Sequence, residues 1–102
     1  MEQSVLPELL RRRLDLVSRL SLATSQMQRW RQSGMAADMD AQRCEMGRDE
    51  AAQDLQRELH EALCRSEEAE SGVARCEALI AEIEQSLAET DREIAAAAGG
   101  RR

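Results

Sequence analysis

Steps of four and three residues from Leu55 pass through Leu59, Ala62, Ser66, Ala69, Val73, Cys76, Ile80, Ile83, Leu87, Thr90 and Ile94, and only Ser66 and Thr90 interrupt this apolar series. One further step back reaches Ala52. An a/d repeat sustained for about six heptads predicts a coiled coil, because a stripe that recurs every 3.5 residues is buried only by winding around another helix. The first half carries a second series: Leu6, Leu9, Arg13, Leu16, Leu20, Ala23, Met27, Trp30, Gly34, Ala37, Ala41 and Cys44, broken only by Arg13 and Gly34.

Between the two series lies Met46-Gly47-Arg48-Asp49. Glycine is favoured just past a helix end and aspartate is a good N-cap, so the chain is expected to turn here and fold back. The predicted fold is all-α, an antiparallel two-helix coiled-coil hairpin. Its single domain spans 1–98, with helices over about 5–46 and 49–97, and 99–102 form a disordered tail. Ser4 caps the first helix, with Pro7 in its first turn. Each arm would reach roughly 60 Å at 1.5 Å per residue. Folding at Gly47 sets small residues against large ones: Ala41 with Leu55, Ala37 with Leu59, Trp30 with Ser66, Met27 with Ala69 and Ala23 with Val73. Gly34 then meets Ala62, Leu20 meets Cys76, Leu16 meets Ile80 and Leu9 meets Leu87. Acid-before-base spacing also predicts the pairs Glu8–Arg12, Asp15–Arg19 and Glu61–Arg65 along the helices.

Two other arrangements fit the same heptads. Turns at Ser33-Gly34 and Ser71-Gly72 would give a three-helix bundle. One long helix pairing only between chains is the third arrangement.

Composition narrows the function. Phe, Tyr and Lys are absent, there is one Trp, and all 14 basic residues are Arg, as in a GC-rich bacterial genome. The net charge of −6 is uneven: residues 1–46 hold seven Arg against six acids, +1, whereas 48–102 hold seven against fourteen, −7. An acidic second half disfavours nucleic acid, whose phosphates need a basic face. Cys44, Cys64 and Cys76 are odd in number and lack paired spacing, so reduced thiols and a cytoplasmic setting are expected. No stretch approaches the ~20 apolar residues of a membrane span.

Catalytic residues, metal and cofactors are not expected. The sole histidine, His60, lies one turn from Cys64, but two ligands fall short of the four of a structural zinc site. The carboxylates lack an apolar enclosure that could tune one as a general acid, and no phosphate loop or nucleophile elbow is present.

Apolar residues outside the heptad series are the candidates for contact with other proteins. Leu10, Leu14 and Val17 recur at i, i+4 and i+7, and Leu79 lies on the second helix at a similar height. Met35, Met39 and Met46 form another row, and methionine suits adaptable surfaces. Arg11-Arg12-Arg13 covers almost a full turn. It reads either as three solubilising side chains whose stems cover the seam, or as a contact for an acidic partner near the open end. An isolated hairpin buries little surface for its length, so protein partners or self-association are expected on stability grounds.

A short chain rich in Arg, Gln, Glu and Ala, with this heptad pattern from Leu6 to Ile94, resembles the coiled-coil stalk proteins of bacterial type III secretion and flagellar export. The resemblance implies a non-enzymatic protein that associates with a hexameric export ATPase and contacts substrate chaperones and the export gate. Gln32-Ser33-Gly34 followed by Arg43 is also similar to the helical flagellar export chaperones, which would keep an apolar groove open for a secreted substrate. From another class, the same pattern fits a homo-oligomerisation scaffold or a small regulatory coiled coil.

Overall fold

A computed structural model of the chain describes residues 2–47 and 52–99. Two α-helices account for nearly all of them, α1 (Glu2–Met46) and α2 (Ala52–Gly99). Ala, Leu, Glu, Gln and Arg are the strongest helix formers, and no run of β-branched residues interrupts them. Gly34 and Gly72 both lie inside continuous helix, and no described residue has positive φ. The three-helix arrangement is thereby excluded: a glycine within a helix costs only about 1 kcal/mol, which long flanking segments absorb.

The helix ends differ in detail from the sequence expectation. α1 begins at Glu2, so Ser4 is not its cap and Pro7 falls inside the helix rather than in its first turn. Gly47 follows Met46 as expected, but without a left-handed conformation; its N–H donates to the carbonyls of Arg43 (3.0 Å) and Cys44 (3.3 Å). The expected Asp49 cap lies outside the described residues, and α2 starts at Ala52 with Asp54 in its first turn. Gly99 is the last residue of α2, whereas 100–102, the rest of the expected tail, are outside the described residues.

The helices run antiparallel and their contacts group into two compact units. One comprises Met1–Ser25 with Glu77–Arg102, the other Gln26–Cys76. In both, burial follows the heptads. Every seam position of α2 from Leu55 to Ile94 is buried or half-buried, as is every seam position of α1 from Leu6 to Cys44 except Arg13. In the first unit Leu16, Ala23 and Ile83 form a core flanked by Leu20, Ile80 and Leu87.

The register departs from the expected one by one heptad. Gly34 packs on Ala69 rather than Ala62, a Cβ at Gly34 meeting the Ala69 Cβ at 3.2 Å. Gly47 faces Leu55, the place assigned to Ala41 from the sequence. Trp30 lies not on Ser66 but on Gly72, where an added Cβ would overlap the indole. Ser66 instead donates a hydrogen bond to Asp38 (2.7 Å). The physical reason is that heptads are self-similar, so a seven-residue slip keeps apolar on apolar. The choice between registers falls to features that occur only once, and the indole needs a position with no side chain.

Ion pairs follow the same register. Asp15–Arg19 forms along α1 as expected. Arg12 and Arg65, expected to pair with Glu8 and Glu61, instead reach across to Glu93 and Asp40, each at 3.1 Å. Arg13, the one charged seam residue, leaves the core and pairs with Asp91 at 2.8 Å. Thr90 is 2% exposed, yet its hydroxyl is satisfied by the Ser86 carbonyl one turn back (2.8 Å).

Gly72→Ala is expected to destabilise the hairpin by about 1–3 kcal/mol through overpacking against the indole. In a chemical denaturation cycle, Gly72→Ala on a Trp30→Ala background should cost clearly less, because the clash is gone. Thr90→Val should leave the melting temperature unchanged or slightly raised. The lost hydroxyl bonds only a carbonyl that keeps its helical partner, and the added methyl is buried.

Candidate protein-binding surfaces

The seam alternates large apolar side chains with small ones, and its most deeply buried positions include Ala23, Ala37, Ala62 and Ala69. The larger apolar residues outside it are left in solvent. In the first unit Leu10 is 51% exposed, Leu14 69% and Val17 39%, and they form one stripe along α1. Leu79 is exposed too, but it does not join them. It stands two heptads from both Arg65 and Glu93, which define one flank of the helix pair by reaching Asp40 and Arg12. Leu10 and Val17 share the heptad position of Asp38, on the other flank.

Met35, Met39 and Met46 are exposed on the outer side of α1 in the second unit. Arg11 is exposed and has no ion-pair partner among the described residues, whereas Arg12 is held by Glu93. The basic run thus divides. Arg12 and Arg13 tie α1 to α2, and Arg11 alone faces solvent without an acid.

Sequence reasoning missed a groove in the second unit. Gly34 and Ala69 are so small that the helices leave an open strip there. It is bounded by Trp30, Met35 and Val73, with Arg31, Asp38 and Glu70 at its rim. The pattern contained a signal for it, since Gly and Ala facing each other beside a tryptophan leave space. That signal appears only in the observed register. The Arg75 guanidinium lies over the indole, 5.9 Å from its centroid, a cation–π contact worth about 0.5–1 kcal/mol at an exposed position.

Near the turn, Asp40, Arg43, Glu58, Glu61 and Arg65 surround a depression lined also by Cys44 and Leu55. There Asp40 pairs with both Arg43 and Arg65. His60 and Cys64 lie 3.6 Å apart on the exposed side of α2. Among the described residues, no group of three or more His, Cys, Asp or Glu side chains could hold a metal ion. No described helix is long and apolar enough to cross a membrane.

No protein-family model, curated protein or solved structure matches the chain.

The inter-helix ion pairs are all about half exposed, which limits what each contributes. Arg12→Ala and Arg13→Ala should each shift the urea-unfolding free energy by no more than about 1 kcal/mol.

Proposed function

We propose that the chain is a non-enzymatic coiled-coil component that binds other proteins, acting in the cytoplasm as a stalk or adaptor of a bacterial type III or flagellar export apparatus. The observation that carries the protein-binding part is the Leu10–Leu14–Val17 stripe, solvent-exposed on a helix whose own seam is already occupied by α2. Exposed apolar side chains at i, i+4 and i+7 are the arrangement by which a helix packs against a further helix. An adaptable methionine row at Met35 and Met39 offers a second contact. The export assignment rests on the resemblance of the heptad hairpin. The stalk is preferred to the chaperone because Gln32-Ser33-Gly34, the turn that carried the chaperone likeness, is helical.

The test is co-migration with a purified hexameric export ATPase in size exclusion with light scattering. Leu14→Glu with Val17→Glu is expected to keep the far-ultraviolet helicity of the parent and to lose the complex, because both positions are exposed in the free chain. A chain that forms a tight homo-oligomer and ignores the ATPase would replace this reading with that of a scaffold.

A further inference from the structure

The flank that carries the apolar stripe also carries an acidic row, and the two together define what can bind there. In the second unit, Arg31 of α1 and Glu70 of α2 border the same groove. Two heptads back along α1 and two forward along α2, the same positions are Val17 and Glu84 in the first unit. One heptad either side of these come Thr24 with Glu77, and Leu10 with Asp91. Asp91 is held by Arg13. Glu77 and Glu84 are exposed and have no ion-pair partner among the described residues. Exposed Ala81, between them, and Ala88, one turn past Glu84, keep the α2 side of the flank low.

From this pairing of an apolar wall on α1 with an acidic wall on α2, we infer that the flank is the docking site for a basic amphipathic helix of another protein. The inference rests on the protein-binding reading and specifies its partner. The incoming helix sets apolar side chains at i, i+4 and i+7 on Leu10, Leu14 and Val17. Its Arg or Lys side chains, projecting from one edge of that stripe, reach Glu77 and Glu84 over the alanines. Burying the leucines supplies affinity, while the carboxylates fix orientation and reject acidic helices.

A second copy of this chain does not fit. Flank against flank with α1 on α1, the Glu77 and Glu84 rows oppose each other. With α1 on α2, the leucines cover unpartnered carboxylates. The copy's stripe is bordered on one edge by Arg11, Ser18 and Ser21, and Arg13 on its other edge is held by Asp91, so among the described residues it brings one free cation where at least two are needed.

Selection from a displayed library tests this. The library consists of helices about five turns long with Leu fixed at i, i+4 and i+7 and every other position drawn from Ala, Gln, Glu and Arg. Helices enriched on the full chain are expected to carry Arg along one edge and to bind about tenfold or more weaker when those Arg are changed to Glu. Glu77→Arg with Glu84→Arg should turn the preference toward Glu-bearing helices, and Leu14→Glu with Val17→Glu should abolish enrichment. Absence of enrichment, enrichment without charge bias, or enrichment that survives Leu14→Glu with Val17→Glu would each overturn the inference. So would a dimer in light scattering that those two substitutions convert to monomer. The broader reading fails separately: loss of the basic-helix preference with retained ATPase binding removes this inference alone.

Discussion

Two helices joined by heptads can slide past one another by seven residues and still bury apolar side chains on apolar side chains. What opposes sliding here is the Trp30 indole lying on Gly72. A slip of one heptad either way would set the ring against the position of Arg65 or of Leu79, each with a long side chain where the glycine has none. Gly72 is unfavourable for the helix that contains it, by about 1 kcal/mol relative to alanine, and the indole accounts for its presence. The close Gly34–Ala69 approach is one heptad-compatible step along from this contact and depends on the same register.

The ion pairs act in the same direction with smaller energies. Arg12–Glu93, Arg13–Asp91 and Arg65–Asp40 are all exposed at their charged ends, so each contributes little to stability. Their geometry exists only in one alignment, which makes them selectors among alignments of nearly equal hydrophobic content. Arg13 shows how a charged residue is accommodated at a seam position. Its side chain leaves the core for Asp91, and opposite it the seam holds Thr90, whose hydroxyl is satisfied within its own helix.

Alanines at the most deeply buried seam positions, Ala23, Ala37, Ala62 and Ala69, let the helices approach closely but bury modest apolar area at those layers. Leucines that a thicker core would have absorbed, Leu10 and Leu14 among them, therefore stand in solvent. The thin core and the available docking stripe are two consequences of one composition. Small residues bring the backbones together at those layers, and large ones out of phase with the heptads serve surfaces that a partner can cover.

The two helices, the position of Gly47 after the first and the inward face of each were legible in the sequence, because helix propensity and a 3.5-residue period are local properties. So were the exposed stripe and methionine row, found as apolar residues out of phase with the heptads. Register was not legible, and with it went the Trp30–Gly72 contact, the partners of Arg12 and Arg65, and the groove beside Gly34. A repeating pattern is unchanged by a shift of one repeat, so the sequence by itself determined which faces meet. Only the packed pair decided which residues meet, since steric fit of an indole into a gap and the reach of a guanidinium depend on both helices at once.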